Sequence, residues 1–237
     1  MEDGTVMNKV EVLYEDNHII VVVKPHNMLS QSDDTKDFDL LSWVKQYLKE
    51  KYQKPGNVYV GLVHRLDRPV SGIMVFAKTS KAASRLANAV RLHEVTKKYC
   101  AVVHGLVEEQ GTFCDYLEKT KDYSTIVTTK ERGKYAELSY RRMAYLPDKD
   151  LSLVDISLKT GRHHQIRVQF ASRGFPLYGD RRYGREEGSI LCLHAYCLSF
   201  VHPVTKEKME FFRLPAVESA FSYFDLQIYW KRGDNLC

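Results

Sequence analysis

No apolar stretch in the 237 residues approaches the roughly 20 that a membrane-crossing helix requires. The opening residues, MEDGTVMNKVEV, lack the basic-then-apolar plan of a secretory signal. The expectation is a cytoplasmic protein with no membrane association. Cysteines are few: Cys100, Cys114, Cys192, Cys197 and Cys237 form an odd, scattered set. Without an export signal they read as reduced thiols rather than as a disulfide framework. Cys192 and Cys197 do not have the spacing of a common zinc knuckle, so no metal site is expected. There is no glycine-rich nucleotide loop, which removes the usual nucleotide cofactors. Internal repeats, low-complexity tracts and interdomain linkers are also missing.

What is present is an ordinary globular composition, 44% hydrophobic and 27% charged. The length allows one large domain or two small ones. A formal net charge of +5 permits a polyanionic partner without requiring one.

Ile19 to Val23 is a β-branched run closed by Pro25, which suits a buried strand. Asp39 can cap a helix from Leu40 to about Tyr52, with Leu41, Val44 and Leu48 on one face. Thr79 or Ser80 can cap a second helix to about His93, with Ala82, Leu86, Ala89 and Val90 as its apolar stripe. Lys97 to Gly105 reads as a strand. Gly111 to Lys130 and Tyr135 to Leu158 read as a β meander with a turn at Leu146 to Lys149. Ile190 to Pro203 alternates like a strand and turns into a partner at Glu207 to Arg213. Pro215 to Phe224 reads as a short last helix. Strand meanders with few helices imply an α+β fold.

Three stretches carry chemistry. Gly61 to Lys78, GLVHRLDRPVSGIMVFAK, sets an apolar run around Val58 to Val63 before a polar knot, and another from Ile73 to Ala77 after it. Both runs suit strands. Asp67 then sits where a sheet passes into a loop, a place where scaffolds mount reactive groups. Arg65 and Arg68 beside it favour the carboxylate anion, which can act as nucleophile or base. In an arbitrary protein such neighbours are usually a surface ion pair. The second stretch is KKYCAVVHG, with Tyr99 on the strand. The third, Lys159 to Gly174, is KTGRHHQIRVQFASRG: Gly161 marks a strand exit, and a helix bearing Ile166 and Phe170 stops at Gly174. Arg162, His163, His164 and Arg167 cluster at its start, which on its own could be any anion site. PLYGDRRYG follows as a turn-rich loop with Arg181, Arg182 and Arg185 in or beside it.

HRLDRPVSGIMVFAK resembles the signature segment of the RluA-type pseudouridine synthases. So do the VVVKP element ending at Pro25, the K-x-Y-x-A-x-V-x-G pattern around Tyr99, TGRxHQIR, GD-x-x-YG and LHAYCLSFVHPVT. The resemblance runs from about Val10 to Pro215. It implies a pseudouridine synthase fold, a largely antiparallel bent sheet with a central cleft, as a single catalytic domain over residues 1–237. Many relatives carry a small N-terminal RNA-binding domain; here that domain is expected to be missing, so recognition falls to the catalytic domain or a partner protein.

The implied reaction converts uridine to pseudouridine in ribosomal or transfer RNA. It is an isomerisation and needs neither cofactor nor metal. By resemblance Asp67 is the catalytic carboxylate. It attacks ribose carbon 1, adds to uracil carbon 6, or removes the proton at ribose carbon 2. Tyr99 stacks on the target uracil and is a candidate for moving the carbon 5 proton. The basic residue paired with the aspartate falls by position to Arg167, and Arg162 then goes to RNA phosphate or the target nucleotide. Arg65 is placed to fill the gap left by a flipped base, and Arg68 and His164 complete the RNA-binding set. The histidines read as hydrogen-bonding groups rather than proton carriers. Lys24 is expected near the cleft, and the protein is expected to be a monomer. A non-catalytic RNA-binding or ribosome-assembly protein on the same fold would be expected to have a damaged HRLD or QIR element, and both are intact. A retaining glycosidase needs a second carboxylate about 5 Å from the first, and none accompanies Asp67 in the other motifs.

Overall fold

A computed structural model describes residues 10–33, 37–184 and 190–230. Arg185 and Cys237, named above, lie outside the described residues. The chain forms two compact units, Met1–Val95 with Leu198–Arg213, and Thr96–Cys197 with Leu214–Cys237.

The first unit is built on β1 (Glu11–Glu15), β2 (Ile19–Lys24), β3 (Gly61–Leu62) and β4 (Ser71–Ala77). β2 runs antiparallel to β1 and, on its other side, to β4, from Ile19 opposite Ala77 to Lys24 opposite Gly72. Successive side chains on a strand point to opposite faces. Ile19, Val21, Ile73, Val75 and Ala77 share a core with Leu198 and Phe200 from the end of β10 (Leu193–Val201). Ile20, Val22, Met74 and Phe76, on the other face, are equally buried. Burial on both faces explains an uninterrupted apolar run. β11 (Lys208–Phe212) pairs with β10.

Helix α1 (Leu40–Lys51) starts where the Asp39 carboxylate accepts from Ser42 N. Its buried face is Leu40, Trp43, Val44 and Leu48, while Leu41 is half-buried. The stripe therefore starts one residue earlier than the sequence suggests, at i, i+4 and i+8. Helix α2 (Ser80–Arg91) is capped by Thr79, whose hydroxyl accepts from Ala82 N. It buries Ala82 and Leu86 and leaves Lys81, Arg85 and Arg91 exposed. The strand expected over Val58 to Val63 shrinks to Gly61–Leu62. Gly61 is packed so close to α2 that a Cβ would stand 2.7 Å from that of Ala83. Glu15, at the end of β1, takes Lys51 Nζ and Lys78 Nζ, each at 2.6 Å, and the Tyr52 hydroxyl at 2.7 Å. Burial pushes its pKa up, but these three bonds outweigh that and hold it at about 2.

The second unit is an antiparallel series in the order β5 (Thr96–His104), β9 (Leu151–Leu158), β8 (Lys134–Leu146), β6 (Gln110–Lys119) and β7 (Thr125–Thr128). The start of β10 lies beside β5. Tyr99 faces Ile156 across the β5–β9 ladder. The β8–β9 turn falls at Pro147–Asp150, with Asp150 left-handed at φ 49°. Helix α3 (Gln165–Ala171) is anchored by Phe170, whose ring lies 5.0 Å from Phe113 and 5.3 Å from Tyr140. Its Val168 packs with Leu117, Ala136 and Tyr183.

The last helix is shorter than expected: a 3-10 turn at Ser219–Tyr223, then α4 (Leu226–Tyr229). Cys100, Cys114 and Cys192 are reduced thiols outside any disulfide, whereas Cys197 is disulfide-bonded, so the expectation of thiols throughout fails there. The fold is α+β with largely antiparallel pairing, as expected. No helix among the described residues is long and apolar enough to cross a membrane.

Candidate active site

Asp67 belongs to the first unit, in the loop between β3 and β4. Small side chains and main-chain groups hold that loop at several points. His64 Nε2 accepts from Val75 N at 3.0 Å, tying the loop to β4. Leu66 is buried, and its main chain is clamped from both sides by Ser30, whose hydroxyl donates to Leu66 O at 2.7 Å and accepts from Leu66 N at 3.1 Å. Val70 N donates to Asp67 O at 3.0 Å, closing the turn. With Leu66 pointing inward, Arg65 is exposed and Asp67 half-exposed. A carboxylate in that position can meet a substrate while its loop stays fixed.

Lys24 lies beneath this loop, with no exposed surface. Its ammonium donates to Pro25 O at 3.1 Å, Met28 O at 2.5 Å and Arg68 O at 3.0 Å. The end of β2 is thus tied to the residue that follows Asp67. Burial pushes the Lys24 pKa down to about 7; the Asp67 charge pulls it up and the Arg68 charge adds to the push. Sequence reading placed Lys24 only as a neighbour, because nothing local shows that three carbonyls converge on it. Arg68 is engaged elsewhere: Nε donates to Asn27 Oδ1 at 3.2 Å and Nη1 pairs with Asp37 at 2.7 Å.

Tyr99, Arg162, His164 and Arg167 belong to the second unit. Tyr99 is 6% exposed on β5. Lys97 shares its strand face two residues earlier, and burial pushes the Lys97 pKa down. The Lys97 ammonium lies 3.4 Å from where a Cβ on Gly161 would stand, an ordinary contact distance.

The turn before α3 is organised by Thr160 and Gln165. Thr160 Oγ1 donates to Gln165 Oε1 at 2.8 Å and accepts from Glu137 N at 2.8 Å. Gln165 Oε1 also accepts from Arg162 N at 3.0 Å, and its amide donates to Glu137 O at 3.1 Å. Arg162 is exposed, with Nε donating to Tyr135 O at 2.8 Å. His163 and His164 stack at 3.7 Å. His163 Nδ1 is hydrogen-bonded to Thr125 Oγ1 at 2.8 Å and His164 Nδ1 to Tyr183 Oη at 2.7 Å. Burial, with Arg167 and His163 adding to it, pushes the His164 pKa down to about 2, so its imidazole is neutral. The neutral ring acts through hydrogen bonds such as the one to Tyr183.

Arg167 is 6% exposed and meets Asp180 in a two-point fork: Nε to Oδ2 and Nη2 to Oδ1, both 2.7 Å. The Tyr183 ring covers its guanidinium at 5.1 Å. Asp180 is the aspartate of the GD-x-x-YG element, and no role follows for it from the sequence, because its contact with Arg167 is not local. No group of three or more His, Cys, Asp or Glu side chains among the described residues could hold a metal ion.

The model of a family described as RNA pseudouridylate synthase matches residues 18–172, a span that includes every site residue expected from the sequence. The uncharacterized RNA pseudouridine synthase YlyB of Bacillus subtilis is 34% identical over 207 residues, covering 85% of this chain and 68% of its own. The ribosomal large subunit pseudouridine synthase D of Zymomonas mobilis is 33% identical over 217 residues, covering 85% and 68%. Among solved structures, human RNA Pseudouridylate Synthase Domain Containing 4 matches with a TM-score of 0.73 at 19% identity, over 90% of this chain and 91% of that one. At that identity the likeness shows the fold.

Proposed function

The chain belongs to the RluA-type RNA pseudouridine synthases, isomerases that convert uridine to pseudouridine in RNA, and from that membership we propose that Asp67 is its catalytic carboxylate. The supporting observation is the mounting of Asp67: a half-exposed carboxylate on a loop held by Ser30, His64 and Lys24. The reaction breaks the bond from ribose carbon 1 to uracil nitrogen 1, turns the base, and joins carbon 1 to carbon 5. The proton on carbon 5 departs and nitrogen 1 gains one, so nothing external is consumed. Asp67 starts the exchange by one of three routes: attack at ribose carbon 1, addition at uracil carbon 6, or removal of the proton at ribose carbon 2.

In this reading Tyr99 packs against the uracil and moves the carbon 5 proton, and Arg167 supplies the cation set against the aspartate. Arg65, exposed beside Asp67, fills the space left by the flipped base. Arg68, Arg162 and His164 contact the surrounding RNA, with His164 acting through hydrogen bonds alone. Relatives named as ribosomal large subunit synthases make ribosomal RNA the substrate we favour, in the cytoplasm, with the enzyme acting as a monomer without a cofactor.

The experiment maps pseudouridines in total RNA from cells carrying the gene, lacking it, or carrying Asp67→Asn. One or more ribosomal sites should disappear on deletion and stay absent with Asp67→Asn, while the purified variant still binds RNA, because phosphate contacts supply most of the affinity. Modification at the normal rate by Asp67→Asn overturns the assignment. Loss of transfer RNA sites instead moves the substrate to transfer RNA.

A further inference from the structure

We propose that Asp180 is a positioning residue for catalysis, acting by setting the plane and direction of the Arg167 guanidinium. The inference rests on the reading above that Arg167 serves the catalytic carboxylate.

An arginine head group sits at the end of a flexible stem, and α3 alone leaves its plane undetermined. The two-point fork with Asp180 determines it, since both bonds can form only when the guanidinium and carboxylate are coplanar. The Tyr183 ring closes one face of that plane. With Nε and one Nη2 hydrogen directed at Asp180, the opposite edge, carrying Nη1, points away from it.

Asp180 is itself immobilised. Its side chain has no exposed surface, and Oδ1 also accepts from Arg182 N at 3.0 Å and Tyr183 N at 3.1 Å. The loop that carries it cannot shift readily. Gly179 is left-handed at φ 76°, and a Cβ there would collide with the carbonyl of Ile190. Gly184 N donates back to Asp180 O at 2.7 Å. The Tyr183 hydroxyl accepts from Thr125 N at 2.7 Å, fastening the same loop to β7. A buried ion pair does little for stability beyond what an apolar pair would do. What this arrangement supplies is a fixed direction for one cation. Asp180 is the aspartate of the GD-x-x-YG element, which follows the span 18–172 that the family model matches.

Asp180→Asn tests the idea. The amide keeps one oxygen for the main-chain donors but turns an N–H toward the guanidinium, so the fork is lost. Misplacing a transition-state group by about 1 Å costs about 10²-fold, so kcat should fall by that order, with KM for RNA within about threefold, because the interaction matters most in the transition state. A double-mutant cycle separates positioning from mere support of the fold. Asp180→Asn added to Arg167→Gln should change kcat by less than about twofold, since no guanidinium remains to be oriented. Equal losses in both backgrounds overturn the proposal, and so does normal kcat for Asp180→Asn when Arg167→Gln is impaired. Normal kcat for Arg167→Gln instead removes the role given to Arg167, and the proposal falls with it. If Asp180→Asn alone does not fold, the doubly neutral variant is compared with Arg167→Gln, and a further loss beyond about threefold overturns the proposal. If neither single variant folds, the wild-type protein decides: the Arg167 Nε proton should exchange slowly with water by nitrogen-15 NMR, and fast exchange overturns the proposal.

Discussion

Lys24→Met probes the underside of the Asp67 loop. The substitution removes three hydrogen bonds, to Pro25 O, Met28 O and Arg68 O, each worth about 1–3 kcal/mol when the acceptor is left buried and unpaired. It also removes the burden of a buried charge. These effects oppose each other, so the variant's absolute stability is not diagnostic, but its dependence on pH is. The folded Lys24 pKa is about 7 against 10.5 for an ordinary lysine. Between those values the unfolded chain binds more protons than the folded one, so wild-type stability rises with pH across that window.

From pH 6 to pH 9 the rise due to Lys24 is about 2–3 kcal/mol, at 1.4 kcal/mol per pH unit beyond the folded pKa. Methionine cannot titrate, so Lys24→Met should lack this component altogether. Urea unfolding of both proteins at pH 6 and pH 9 measures it as a difference of differences, in which every other titrating group cancels. If the two proteins change alike within about 0.5 kcal/mol, Lys24 does not carry the burden described and the reasoning fails. Pseudouridine formation by the same variant should fall even at pH 6, where it is folded, because Arg68 O has lost its tether to β2.

Glu15→Gln should lower stability by about 2 kcal/mol at pH 7, a figure reduced because Lys51 is 44% exposed. The Glu15 pKa is lowered on folding, so its contribution is complete above the ordinary carboxylate pKa and is lost as pH falls through about 2. Unfolding at pH 7 and pH 3 should show the gap between variant and wild type shrinking by more than half; a constant gap refutes the assignment. Tyr99→Phe keeps the ring and removes only the hydroxyl. Single-turnover rates should fall about 10²-fold with RNA affinity unchanged, and an unaltered rate removes the proton role from Tyr99.

The strands were legible wherever burial on both faces produces an unbroken β-branched run, as at Ile19 to Val23. The two long helices were legible through Asp39 and Thr79, whose capping bonds are local. The errors arise where a distant contact decides. Val58 to Val63 has the composition of a strand, yet only Gly61–Leu62 pairs with β4. Leu41 fits the apolar spacing of the sequence but is only half-buried, because Leu40 and Trp43 hold the inner face on a stripe one residue displaced. The apolar residues after Pro215 read as one helix and form two short turns.

The candidate site divides in the same way. Asp67, Tyr99 and Arg167 are recognisable as residue types at set places in three motifs. The groups that hold them are not, because each makes its bonds to main chain or to a residue remote in sequence. Ser30 clamps Leu66 across 36 positions, Lys24 reaches Arg68 across 44, and Gln165 reaches Glu137 across 28. This accounts for the length of the motifs. A lone carboxylate would need only one letter, but His64 and Leu66 are required to hold its loop to β4 and the core. Thr160 and Gln165 are likewise required to shape the turn that delivers Arg167. The motif letters that carry no chemistry are the ones whose hydrogen bonds and burial make the chemical letters point where they do.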